Sequence, residues 1–272
     1  MSECLRAVQQ IRRLRGGSQA HLMRCADKRF YVVKFRNNAQ GGRVLANEML
    51  ATRLGVLMGL PMAEARIIDV DPVLILLATE MVIQLERHHR RCAEGHSFGS
   101  LYVGNPAQTT DWYDGTDPPS RGQPTVANLS DFVGMVVFDT WMSNTDSRQA
   151  VFHRERPGEP YHATMIDHGF CLSGKEWRFD ERPCRFLHPR WWVYENVSGI
   201  QAFEPWLSLL ERKISLDDIL AAAVGIPPEW YHYDLDALVA VARALDARRP
   251  LVRQMIWQIH ASRPMAFPNW LP

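Results

Sequence analysis

The sequence has few cysteines and no excess of charge of either sign. Its 272 residues include five cysteines, Cys4, Cys25, Cys92, Cys171 and Cys184, with no C-x-x-C pair and an odd total. That count argues against a disulfide framework or a structural zinc site, and a reducing, cytoplasmic compartment is expected. Thirty-one Lys and Arg against thirty Asp and Glu leave a formal charge of +1. Such a balance lacks the electrostatic footprint of general nucleic-acid binding, so no direct nucleic-acid partner is expected. Long hydrophobic runs are absent too. The longest aliphatic stretch, Val73 to Ala78, is far short of a membrane span, and no apolar stretch follows Arg12, Arg13 and Arg15 as a secretory leader would require. An apolar share of 46% with 22% charged residues suffices for a full core, and the length suits one large domain or two small ones.

The first eighty residues read as strand, strand, helix, strand, strand. Gly16-Gly17-Ser18 makes a turn within Leu14–Cys25, and Phe30–Phe35 is aromatic and β-branched, as strands are. Gly41–Met58 takes helical spacing and stops at Gly59 and Pro61. Ala65–Val70 and Pro72–Met81 read as two further strands. From Gly104 to Pro124 the chain is rich in Gly and Pro, a long loop and the best boundary. Leu129–Met142 reads as a buried helix, Gln149–His153 and His162–Ile166 as a hairpin, and Phe203–Ile214, Leu216–Ala223, Leu235–Ala247 and Leu251–Ala261 as helices, with Ser215 and Asp234 as N-caps. The expected division is 1–103, a β-rich lobe with one helix; 104–125, a loop; and 126–272, a helical lobe carrying the hairpin.

Polar residues interrupt these elements in a telling order. The Gly16-Gly17-Ser18 turn exposes backbone N–H groups that suit a phosphate, although most such turns are only turns. Lys34 stands in an otherwise apolar strand, where an ammonium needs a partner or an edge position. Glu48, fourteen residues on, lies on the apolar side of the next helix and can brace it. Asp146, in Asn144-Thr145-Asp146 after the buried helix, can orient or deprotonate an acceptor hydroxyl, and equally fits an Asx turn. Asp167, at the end of an apolar strand in Asp167-His168-Gly169, is a hard oxygen ligand for Mg2+. Gly-rich turn, strand Lys, helix Glu, Asp loop, hairpin and strand-Asp is the parts order of a bilobal, protein-kinase-like α+β fold.

The chain resembles the HipA-like bacterial serine/threonine kinases, especially their shorter stand-alone relatives, from about Gly16 to His168. The resemblance rests on Val33-Lys34-Phe35, Leu45-Ala46-Asn47-Glu48, Phe138 to Asp146 and Ile166-Asp167-His168-Gly169. It implies ATP and Mg2+ as cofactors and a Ser/Thr hydroxyl of a protein, or of the chain itself, as acceptor. It implies Lys34 on the α/β-phosphates braced by Glu48, Asp146 as catalytic aspartate, Asp167 as metal ligand, and Glu80 and Met81 as hinge residues near the adenine. The family pattern has a metal-binding Asn five positions after the catalytic Asp; here that position is Val151, and Gln149 is the nearby amide that can substitute. A kinase with altered metal binding and a pseudokinase acting as a nucleotide- or partner-binding module both remain open, as does a small-molecule or lipid kinase. The run Arg87-His88-His89-Arg90-Arg91 reads as a solvated basic loop, and Trp177, Phe186, Trp191, Trp192 and Tyr194 as core or partner surface.

Overall fold

The computed structural model describes residues 4–104, 106, 111–113, 125–179 and 182–271. Its N-terminal part is strand-rich. Strands β1 (Leu5–Arg13), β2 (His21–Cys25), β3 (Phe30–Lys34), β4 (Ala65–Val70) and β7 (Gly95–Leu101) close into a barrel in the order β1-β2-β3-β7-β4. Strand alternation sorts β3 onto two faces: Tyr31 and Val33 enter the barrel core with Met23, Cys25, Ile68 and Val70, while Val32 and Lys34 face the other way. A small hairpin, β5 (Val82–Gln84) and β6 (His89–Arg91), adds Ile83 and Cys92 to that core.

Helix α1 (Arg43–Leu57) follows β3. Eleven of its fifteen residues are buried, because it is covered on one side by the barrel and on the other by the helical part. The second core begins with α1 and runs through α3 (Ser130–Trp141) into α4 (Glu204–Arg212), α5 (Leu216–Ala223), α6 (Leu235–Arg248) and α7 (Val252–Ser262). Ser215 and Asp218 form a reciprocal capping box on α5, and Asp234 accepts from the Ala237 N–H at 2.9 Å to cap α6, as their sequence positions foretold. Strands β9 (Gln149–Arg154) and β10 (His162–Ile166) form the expected hairpin.

Several expectations change, beginning with β1, which lies ahead of the expected Leu14–Cys25. Pro72–Met81 is not a strand: α2 (Pro72–Leu77) occupies it, because the Asp71 carboxylate accepts from the Val73 N–H at 2.8 Å and Pro72 fits the first helical turn. The basic run is partly ordered, as β6. Strand β7, with its polar sequence GHSFGSL, went unforeseen; barrel closure between β3 and β4 makes a strand of it. Within the expected loop, Asp111–Tyr113 forms β8 against β9, while Gly115, Pro118, Pro119, Gly122 and Pro124 lie outside the described residues.

Candidate functional site

β3 carries Lys34 to the seam between the barrel and the helical part. Lys34 is 6% exposed, and its ammonium donates to both Glu48 and Asp167, the latter at 2.9 Å. Burial works against the charge, but the two carboxylates outweigh it and hold the Lys34 pKa above its ordinary value. Glu48 uses both oxygens: one accepts from Lys34, the other from the His168 N–H at 2.9 Å. Burial pushes the Glu48 carboxyl up while these donors draw it back. Burial likewise works against the Asp167 charge, yet Lys34 leaves that carboxyl below its usual value.

Asp167 sits in the left-handed region at φ 59, an uncommon conformation for a non-glycine residue. Gly169 follows where α1 comes closest: a Cβ there would stand 2.5 Å from Val44 Cγ1 and 3.2 Å from Glu48 Oε1. The strand end therefore reaches Lys34 only because residue 169 has no side chain.

Asp146 lies on the loop between α3 and β9. The Ser147 N–H donates to its carboxylate at 2.7 Å, and its own N–H donates to Asn144 Oδ1 at 3.1 Å. Thr145 staples this loop to the Asp167 loop, its N–H donating to the Phe170 carbonyl at 3.1 Å. Beneath runs a buried ionic network. Arg148 donates to both oxygens of Asp139, to the Ile166 carbonyl at 3.0 Å and to His168 Nδ1 at 2.9 Å, and Asn144 donates to Asp139 at 3.0 Å. A guanidinium only donates, so His168 Nδ1 is the acceptor and the ring proton sits on Nε2. Burial, and then Arg148, depress the His168 pKa well below its usual value, so the ring is neutral.

α1 also ties down the segment after Gly169. Asn47 donates to the carbonyls of Gly169, Cys171 and Gly174 at 2.8–3.0 Å and accepts from the Trp177 indole at 2.7 Å. Arg43 stacks on the Trp177 ring at 4.6 Å. From the other end of α1, Arg53 donates to the carbonyls of Ala222 and Val224 at 2.8 and 2.7 Å.

Beside the Lys34 triad opens a cavity of about 160 Å3, lined by Val32, Phe98, Ser100, Leu101, Tyr102, Val103, Val151 and Ile166 together with Lys34, Glu48 and Asp167. Its apolar walls with a few ionic groups at one end suit a flat ring attached to an anionic tail. Glu80 and Met81 do not reach it. Met81 is buried in the barrel core, and Glu80 is exposed and accepts weakly from Gln10 at 3.5 Å. The chain between the two parts leaves from β7, so Leu101–Val103 stand where hinge residues were expected. The sequence signal was an apolar Leu101-Tyr102-Val103 run just before the Gly-rich loop. The Gly16-Gly17-Ser18 turn does not line the cavity. It lies at the end of the sheet that bears Lys34, since His21 pairs with Val33, and Gly17 backs closely onto Gln40. Gln149 pairs across the hairpin with Ile166, and its amide lies 3.4 Å from Asp167 Oδ2. Among the described residues no three His, Cys, Asp or Glu side chains cluster as a metal-binding set. No described helix is long and apolar enough to cross a membrane.

Comparisons with known proteins bear on the fold and the family. The structure is similar to the Helicobacter pylori proinflammatory kinase CtkA, with a TM-score of 0.56 and 11% identity over 93% of this chain and 96% of that one. The Golgi casein kinase matches at a TM-score of 0.49 and 11% identity, over 96% of this chain and 74% of that one. No curated protein sequence matches. At these identities the likeness to CtkA establishes a protein-kinase-like fold, strand-rich then helical. Membership follows from the sequence itself: the HipA-like kinase family model matches residues 7–155, more than half of the chain, and the chain therefore belongs to the HipA-like kinases.

Proposed function

We propose that this chain is an ATP-dependent phosphotransferase that delivers the γ-phosphoryl group to a Ser or Thr hydroxyl of a protein, or of itself. The observation that carries the reading is the Lys34 ammonium held between Glu48 and Asp167 at the ionic end of an apolar cavity. The adenine would lie between Val32, Phe98, Val151 and Ile166, with Leu101–Val103 at its edge and residues 1–103 contributing most of the contacts. Lys34 positions the phosphates; Glu48 keeps it from collapsing wholly onto Asp167. Asp146 aligns the acceptor hydroxyl and accepts its proton as the new P–O bond forms. Such catalysis is mainly alignment and charge stabilisation, which suits groups fixed by a buried network.

Asp167 and Gln149 fit a Mg2+ ion. One carboxylate oxygen faces an amide across 3.4 Å, and Mg2+ on nucleotides characteristically takes one or two protein oxygens, with phosphates and water completing the shell. When bound, the ion neutralises phosphate charge. The amide orientation that offers oxygen instead of nitrogen is a simple flip.

A second reading, nucleotide binding without turnover, draws on Val151, which adds an apolar wall to the cavity where the family pattern has a metal-binding amide. Incubation with γ-labelled ATP separates the two. Label should enter an acceptor or the chain itself with wild type and fall by about a hundredfold or more in Asp146→Asn, the range of a lost general base. Mg-ATP binding with no transfer would favour the second reading, and equal labelling by Asp146→Asn would overturn the assigned role of Asp146.

A further inference from the structure

Between the Asp146 loop and the Asp167 loop lies a buried guanidinium that grips both. Arg148 follows Asp146 by two residues and is 1% exposed. On one side, its Nε and Nη2 donate to the two oxygens of Asp139 in the last turn of α3. Asp139 also accepts from the Asn144 amide at 3.0 Å, and Asn144 Oδ1 accepts the Asp146 N–H at 3.1 Å, so this side of the fork leads to Asp146 through Asn144. On the other side, Nη1 donates to the Ile166 carbonyl at 3.0 Å and to His168 Nδ1 at 2.9 Å. These are the residues immediately before and after Asp167. With Glu48 accepting the His168 N–H at 2.9 Å, the chain is fixed on either side of Asp167. Asp167 itself is at φ 59, which a residue with a side chain keeps only where its surroundings impose it.

We propose that Arg148 is a positioning residue for phosphoryl transfer, and that its divided grip sets the separation of Asp146 from Asp167. The inference rests on the phosphotransferase reading and adds a residue to that site. Arg148 does not line the cavity; it acts through the loops that carry the two carboxylates. Pairing with Asp139 alone satisfies its charge. The further reach of Nη1 ties the loop that aligns the acceptor to the loop that meets the phosphates, and a planar fork suits both contacts at once. Lost alignment is felt in the chemical step, where a misplacement of about 1 Å costs roughly a hundredfold. Nucleotide affinity suffers less, since Lys34 still holds Asp167.

The test measures label transfer from γ-labelled ATP to the chain itself and to a degenerate Ser/Thr peptide library, with calorimetric Mg-ATP binding giving the fraction of folded sites. His168→Leu removes an acceptor of Nη1 and leaves the Asp139 pair in place. Its kcat per binding site should fall at least about tenfold while the ATP KM stays within about threefold. His168→Asn, which returns an acceptor oxygen close to the position of Nδ1, should recover most of that loss. Arg148→Lys keeps a cation on Asp139 without the fork and should lose as much as His168→Leu. Independently of turnover, 15N spectra of the wild-type chain should show His168 Nδ1 unprotonated and Nε2 carrying the proton. Wild-type kcat in either His168→Leu or Arg148→Lys, a loss that His168→Asn does not recover, or a protonated Nδ1 would overturn the positioning role and leave the phosphotransferase reading standing. No transfer by the wild type to either acceptor would overturn both.

Discussion

Lys34 is the side chain on which the site depends, and its neighbours show why it is charged while buried. Two carboxylates surround it, so removing the ammonium costs more than a contact. Lys34→Met should leave Glu48 and Asp167 facing each other without a cation, lower Mg-ATP affinity at least about tenfold, and shift the urea midpoint down. Isothermal titration and equilibrium unfolding check both effects. Arg148 is the second such residue. Replacing it with Met strands the Asp139 carboxylate, which is 2% exposed, and loses the links to Ile166 and His168. The expected loss is about 3–5 kcal/mol of stability, the usual range when one partner of a buried pair is removed. A loss under about 1 kcal/mol by urea titration would contradict the network's structural weight. Lys34, Glu48 and Asp167 were legible in sequence because each is an ionic residue set in an apolar element. Arg148 was not, since an Arg after an Asp loop reads as surface until folding buries it.

At the scale of elements, α1 is fastened to the C-terminal part at two points along its length. Asn47 serves three carbonyls and an indole; Arg53 serves the C-terminal end of α5. Asn47→Ala would leave those buried groups unpaired and cost about 2–4 kcal/mol, counting one or two unsatisfied groups at the usual penalty. Hydrogen exchange in Asn47→Ala should rise in residues 169–177 before it rises in β3; protection equal to wild type in that segment would show that Asn47 does not hold it. The helices were readable from their spacing and caps. α2 was misread because an aliphatic run of six looks like a strand, yet Asp71-Pro72 already spelled a helix start. β7 was missed because His, Ser and Gly dominate it. Gly99, whose Cβ would stand 2.4 Å from Ile68, shows the cause: the strand is crowded by its neighbour, which selects small residues over β-formers. The hinge assignment to Glu80 and Met81 followed from that miss, since the last N-terminal strand was taken to end there.

For the whole molecule, buried histidines set the response to acid. Burial lowers His21 and His188 to about 4, and holds His168 well below its usual value. Each folded pKa is depressed, so the stabilisation is complete above the unfolded value of 6.5 and is lost as pH falls toward about 4. Unfolding at pH 5 should therefore take up roughly three protons through these rings, and the urea midpoint should fall steadily between pH 6.5 and 4.5. A midpoint that stays level across that interval would contradict the buried neutral state of these rings. The ordering of strand-rich and helical parts was visible in the sequence, because hydrophobic period changes along the chain. The closed barrel was not, because its closing pair, Leu5 with Ile68, joins segments that nothing local connects.

The central claim is that Lys34, Glu48 and Asp167 hold a magnesium-bound triphosphate beside the apolar cavity. Calorimetric titration of Mg-ATP into the wild-type chain, with Lys34→Met and Asp167→Asn titrated alongside, tests it most directly. The account predicts one saturable site in the wild type, weakened at least about tenfold in each variant and weakened again when Mg2+ is chelated. Equal binding by all three proteins, or no heat from the wild type at millimolar nucleotide, would contradict it.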